Sequence, residues 1–91
     1  MDTDPEKYTK KHAQLIHSDN LKVLSHVQRT DGDWIINTLM VEGCDAPFRY
    51  RRKKAYKKLV GQRVNLTYYP ITETVAGFDF EIMKVVRVRI A

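Results

Sequence analysis

The sequence has one cysteine, three prolines and four glycines among 91 residues, and each scarcity excludes a class of protein. Cys44 has no second cysteine, so disulfide scaffolds, zinc ribbons and CxxC redox motifs are excluded. A chain without disulfides suits a reducing compartment, and we expect a cytoplasmic protein. The glycines are isolated from one another, so the chain has no glycine-rich loop for binding phosphate.

Long apolar runs are also missing. None approaches the ~18 residues that a membrane-spanning helix needs, so we expect no membrane partner. The first six residues are acidic and polar, unlike the basic and then apolar start of a secretory signal.

Residue types that carry catalysis are few and scattered. His12 and His17 are five residues apart, a spacing that does not share a helical face, and His26 falls on another element. No HExxH motif, paired carboxylate or activated nucleophile is apparent. We therefore expect no catalytic residue, no metal and no cofactor, and the chain is not expected to be an enzyme.

Periodicity predicts a short helix followed by strands. Thr3 to Glu6 has the spacing of a capping box, and Tyr8, His12 and Leu15 follow at helical intervals, which predicts a helix over about 5–17. We accordingly divide the chain into an N-terminal helical appendage, 1–20, and one domain, 21–91. Within the domain, 22–30 and 34–42 are rich in β-formers around an Asp-Gly turn, which predicts a hairpin.

The middle of the chain changes period. Residues 48–52 alternate between apolar and basic side chains and predict a third strand, whereas 53–60 has the spacing of two helical turns ending at Gly61. One helix through 46–60 is the alternative. Alternation resumes in 63–69, a loop or a loose hairpin arm is predicted over 70–77, and 78–90 predicts a last strand. Lys84 interrupts the apolar face of that strand and indicates a bulge or a barrel end.

Five strands with a helix between the third and the fourth resemble the OB-fold, a small, partly open barrel. The resemblance covers about residues 22–90 and rests on element order, without a sequence motif such as the cold-shock RNP signature. The expected fold class is therefore mainly β (α+β), an OB-like barrel. An SH3-like barrel and an unrelated α+β roll are alternatives with similar patterns.

The most distinctive segment is basic. Residues 49–58 contain seven of the sixteen Lys and Arg side chains and no acid, and the remaining nine bases face eleven acids. In the OB arrangement the third strand lies beside the fifth, which would bring Arg49 and Arg51 close to Arg87 and Arg89. The predicted nucleic-acid contacts are these arginines, the following basic residues and two aromatic rings for base stacking: Arg49, Arg51, Arg52, Lys53, Lys54, Lys57, Lys58, Arg87, Arg89, Trp34 and Tyr69.

These residues favour a protein that binds RNA, ribosomal RNA included, or single-stranded DNA. Tyr50, Tyr56 and Tyr68 are interpreted as core residues. The rival hypothesis is a protein-interaction module or homodimer that uses the apolar second and fifth strands. Two further interpretations of the basic segment are a solvated surface and, for 51–54, a nuclear import signal.

Overall fold

The computed structural model describes residues 15–91, which form an all-β barrel. Its strands are β1 (Ile16–Asp31), β2 (Trp34–Val41), β3 (Phe48–Arg52), β4 (Arg63–Val75) and β5 (Phe78–Ile90). They pair in the closed order β1-β2-β3-β5-β4, and β1 returns to β4. This topology is consistent with the OB-like barrel expected from the order of the elements.

Two features of the predicted fold class are wrong. The barrel is closed, because β3 pairs with β5 in parallel, whereas a partly open barrel was expected. The helix predicted over 53–60 is also absent, and 53–62 crosses between β3 and β4 without regular structure. The fold is therefore all β within residues 15–91.

β1 starts earlier than the sequence pattern indicates. Its first residues pair with β4 from Ile16↔Tyr68 onward, and its second half pairs with β2. The predicted helix end at residue 17 is wrong, because Ile16 and His17 belong to this strand; the rest of that helix lies outside the described residues. The strand also continues across the proposed domain boundary at residue 20, where the Asn20 amide donates to Asn65 Oδ1 at 2.9 Å.

The predicted hairpin of the first two strands is confirmed. β1 and β2 pair from Val23↔Val41 to Asp31↔Trp34. The connecting turn has Gly32 at its first central position with φ 60°. A positive φ at that position is the feature of type II′ hairpin turns, which glycine adopts without steric cost.

Alternating side chains from all five strands fill the barrel. Phe48 and Tyr68 meet edge to face at 4.7 Å between ring centroids. The remaining members of the buried cluster are mostly aliphatic: Val23, Leu39, Val41, Tyr50, Val64, Leu66 and Val85. The predicted inward face of β4, with Val64, Leu66 and Tyr68, is therefore confirmed.

A bulge in β5 changes which of its residues face the core. Thr67 pairs with Arg87 and Tyr68 with Val85, so Val86 is an extra residue between them. Val85 and Val88 consequently pack on the core, while Val86 is 50% exposed. A bulge was one of two expectations for this strand, but it lies at Val86 and not at Lys84.

Beyond the barrel, β4 and β5 continue as a two-stranded arm. Pairing extends to Val75↔Phe78, so of the two expectations for 70–77 the structure has the hairpin arm, with strand up to Val75 and a two-residue turn, and not the loop. Ala76 and Gly77 form that turn with φ values of 53° and 82°. The arm leaves Phe78 68% exposed and Phe80 52% exposed, although both were assigned to a buried face.

Candidate nucleic-acid interface

The site is built where β3 and β5 separate. They pair in parallel only at Phe48↔Met83 and Arg49↔Lys84, after which no further pairs join them. The residues that follow on each strand therefore border an opening in the surface of the barrel. Arg49 and Arg51 point away from the core because Phe48 and Tyr50, which alternate with them, are buried.

We call this opening the basic cleft, and Tyr50 forms its floor. Two adjoining hollows make up the cleft, and both are lined by Tyr50, Arg51 and Val85. The cationic residues that line the cleft come from β3 and β5: Arg49, Arg51, Arg52, Lys84 and Arg87. The structure thus brings the predicted arginines of the two strands to one side of the barrel.

A third hollow, the end cavity, continues from the basic cleft beneath 53–62. Its volume is about 160 Å³. Its deepest side chains are those of His26, Asn37 and Tyr50, which are 5%, 3% and 9% exposed. The mouth is formed by exposed side chains, three of them cationic or aromatic: Tyr56, Lys57, Arg89 and Ile90.

The cations of this surface are almost free of acidic partners. Within residues 15–91, Arg49 alone among the Lys and Arg side chains has a carboxylate within ion-pair distance, with Nη1 3.2 Å from Glu73 Oε2. The Arg49 Nε is buried without a hydrogen-bond acceptor. The field of the other cations is therefore not cancelled by carboxylates of the part of the chain that the structure describes, and it extends into the cleft.

Trp34 lies at the edge of the basic cleft, where β2 begins. Its ring is 38% exposed. The Arg51 guanidinium carbon lies 5.4 Å from the ring centroid, and Lys53 Nζ lies 4.8 Å from it. These cation–π contacts hold two positive charges beside an accessible ring, an arrangement that can serve a base and its phosphate together.

Arg52 forms the second cation–aromatic group. Its guanidinium carbon lies 5.5 Å from the Tyr50 centroid and 5.3 Å from the Tyr56 centroid. Burial raises the pKa of the Tyr50 phenol above its usual value, and the charge of Arg52 opposes part of that increase. The Tyr50 hydroxyl is therefore protonated at neutral pH and can donate a hydrogen bond into the hollows that it lines.

Not all predicted site residues join this surface. Tyr69 was expected to be exposed but is only 7% exposed, so it has no free face for stacking. Lys54 and Lys58 are exposed, yet they line none of the three hollows. Lys53 contributes through its contact with Trp34.

Two residues of the surface were assigned to apolar faces by the sequence pattern. Tyr56 was interpreted as core but is 56% exposed beside Arg52. Lys84 was an exception on an apolar face but pairs with Arg49 and lines the cleft. The sequence did contain a sign of this position for Lys84. A charged residue on a face that is otherwise apolar indicates that the inward and outward faces of the strand have been exchanged in the prediction.

A polar network fixes 53–62 over the end of the barrel. The Leu59 amide donates to His26 Nδ1 at 2.9 Å, so Nε2 carries the ring proton and donates to Asn37 Oδ1 at 2.8 Å. Gln28 Nε2 donates to the Tyr56 carbonyl at 2.9 Å, and Leu59 packs against the core. The lysines of this segment are thus presented from a fixed backbone.

Comparison with known proteins identifies no relative: no family model matches the chain, and neither the curated proteins nor the solved structures give a significant match. From Leu15 to Ala91, no three His, Cys, Asp or Glu side chains are grouped so that they could hold a metal ion. The same part of the chain contains no helix with the length and apolar character to cross a membrane.

Proposed function

We propose that the chain binds single-stranded nucleic acid, RNA or DNA, in the basic cleft. The observation that carries this proposal is the set of cations from β3 and β5 around one opening, which have no carboxylate partner among residues 15–91 apart from that of Arg49. Phosphates are the natural counter-charges for such a surface. The predicted sites on β3 and β5 are kept in this proposal, while 53–62 replaces the helix.

Single strands are favoured over a duplex because rings accompany the charges. Trp34 and Tyr56 are both exposed, and each lies beside a cation of β3. Unpaired bases can stack on such rings, whereas the bases of a duplex are already stacked. Since every base has a π-face, this part of the affinity depends little on sequence.

The salt dependence of binding tests this function. If four to seven cations contact phosphates, the slope of log K against log salt for a labelled single strand should be roughly −3 to −5. The measurement is fluorescence anisotropy over a range of NaCl concentrations. An affinity that does not change with salt would contradict the proposal.

A charge-reversal pair with a matched control locates the surface. Arg51→Glu with Arg87→Glu reverses two charges of the cleft, and we expect it to weaken binding of all sequences by at least tenfold. The control is Lys22→Glu with Arg29→Glu, which changes the net charge equally on β1, a strand that pairs with neither β3 nor β5. Equal losses in the two variants would indicate net charge alone.

A second candidate function, self-association, is favoured by the β4–β5 arm. Val75, Phe78 and Phe80 are at least half exposed on the arm, and a second copy could cover them. Sedimentation equilibrium would then give a dimer, and Phe78→Ser with Phe80→Ser would give a monomer. A monomer for the unaltered chain would exclude this candidate.

A further inference from the structure

The end cavity has features that the electrostatic binding of a strand does not require. Buried polar side chains form its floor, and exposed cations lie at its mouth. Its volume is close to the space that one aromatic ring occupies in a protein. A hollow of roughly 150 Å³ in a protein core holds one benzene molecule. The volume of about 160 Å³ here therefore fits a single six-membered ring better than two fused rings.

Tyr50 gives this cavity a polar group without a partner. The residue is 9% exposed and lines the cavity, and within residues 15–91 its hydroxyl has no hydrogen-bond partner, although the hydroxyl is not itself fully buried. By contrast, His26 and Asn37 beside it are already bonded to each other and to the backbone. A hydroxyl without a protein partner is available to donate, and a ligand carbonyl in the cavity could accept that hydrogen bond.

Cations mark the mouth of the cavity. Lys57 and Arg89 are exposed there, and the Arg52 guanidinium is within cation–π distance of both Tyr50 and Tyr56. A planar guanidinium can stack on a base, and ammonium or guanidinium groups outside it can hold the attached phosphate. A ring inside and a phosphate outside are the two parts of one nucleotide.

We propose that the end cavity takes one unpaired pyrimidine of the bound strand, with the Tyr50 hydroxyl donating to a carbonyl of the base and its phosphate held by Lys57 and Arg89. This inference rests on the proposed function and adds a preference to it. Purines are disfavoured because their second ring would extend beyond this volume into the open mouth of the cavity. Neighbouring nucleotides remain on the basic cleft, where the sequence has little effect.

The test compares labelled U8 and A8 RNA octamers by fluorescence anisotropy. The readout is the ratio of U8 affinity to A8 affinity, measured for each variant. The bases of A8 stack on one another in the free octamer, and this lowers the A8 affinity of every variant by the same factor. Ile90→Trp places a large ring at the mouth, on a residue that is 58% exposed and so tolerant of replacement. We expect the U8 preference to fall about tenfold.

Two further variants make the result specific. Tyr50→Phe keeps the ring and removes the hydroxyl, and we expect the U8 preference to fall about two- to tenfold without a change in salt slope. Val27→Trp adds the same ring as Ile90→Trp on a β1 residue that is 59% exposed and lines none of the hollows, so the preference should be unchanged.

The outcomes separate this proposal from the one on which it rests. One outcome is that both octamers bind in a salt-dependent way, but the ratio of U8 to A8 affinity is the same in the unaltered chain, Ile90→Trp and Tyr50→Phe. That outcome would overturn the pyrimidine site and leave the proposal of the basic cleft standing. Absence of binding to either octamer would overturn both.

Discussion

Tyr50 connects the chemistry of the surface to that of the core. Tyr50 belongs to the buried cluster, and it also lines all three hollows. Burial raises the pKa of the phenol, and Arg52 opposes this by stabilising the phenolate. The net increase means that the folded chain retains this proton at a pH where the unfolded chain has lost it.

Tyr50→Phe should therefore change how stability depends on pH in the alkaline range. Because the folded pKa lies above the unfolded value of about 10, the contribution of Tyr50 to the free energy of unfolding is constant below about pH 10 and falls as the pH rises toward the folded pKa. Urea unfolding at about pH 9 and pH 11 should show a larger loss for the unaltered chain than for Tyr50→Phe. Identical losses would show that the phenol has its ordinary pKa.

His26 is the residue on which the position of 53–62 depends most. His26→Ala removes the acceptor of the buried Leu59 amide and one donor to Asn37, which should cost about 2 kcal/mol in the free energy of unfolding. Amide exchange at Leu59 should become faster at the same time. The measurement combines urea denaturation with hydrogen exchange followed by NMR.

His17→Ala is the control for this prediction. His17 is an exposed histidine on the same strand, with a hydrogen bond to Thr67 Oγ1, and its loss should change stability by no more than about 0.5 kcal/mol. Equal effects of the two alanine variants would contradict a special role for the His26 network.

At the level of elements, alternation was reliable where one strand face is buried. The strand 48–52 and the inward face of 63–69 were predictable because a period of two needs only local sequence, and the hairpin 22–42 was predictable because β-forming residues flank an Asp-Gly turn. The inward and outward faces of 78–90 could not be predicted in this way. The extra residue at Val86 exchanges the two faces, and the position of a bulge is set by the register with β4. The arm was only one of two expectations for 70–77, because Pro70 and its polar neighbours also resemble a loop.

The segment 53–62 shows why a helical period did not give a helix. Like-charged lysines four residues apart, Lys53 with Lys57 and Lys54 with Lys58, disfavour helical turns. Hydrogen bonds to the barrel replace the helical ones, among them Gly61 N to the Val23 carbonyl at 2.9 Å. Those partners are distant in sequence, so neither this path nor the exposure of Tyr56 could be predicted locally.

The turn of the arm provides a prediction about an element. Ala76 has a positive φ of 53° ahead of Gly77, the pattern of a type I′ turn, in which asparagine is preferred at the first central position. Ala76→Asn should therefore stabilise the hairpin by about 0.5–1 kcal/mol, and Gly77→Ala should destabilise it by a similar amount. Amide exchange on both strands of the arm measures this, and changes of the same sign in the two variants would contradict it.

For the molecule as a whole, the charge is unevenly distributed by the topology. The basic run 49–58 has an excess of positive charge, whereas the remaining residues have more acids than bases. Parallel pairing of β3 with β5 then adds Lys84 and Arg87 from a distant part of the sequence. The composition could therefore predict a basic surface and the element order could predict that β3 and β5 are neighbours, but the cavity depends on side-chain packing in three dimensions.

An unneutralised cluster of this kind should destabilise the free protein at low salt. Raising NaCl from about 0.01 M to about 0.1 M shortens the Debye length from about 30 Å to about 10 Å, which screens the repulsion between cleft residues. The free energy of unfolding should rise by about 0.5–1 kcal/mol in the unaltered chain.

Arg51→Glu with Arg87→Glu converts repulsion into attraction, so its stability should respond less to salt, or in the opposite direction. Lys22→Glu with Arg29→Glu should keep the response of the unaltered chain, because it leaves the cleft intact. Urea denaturation of the three proteins at both salt concentrations decides the matter: a common salt response would mean that the cleft cations do not repel one another, and a cleft without repulsion would have little need of a polyanion.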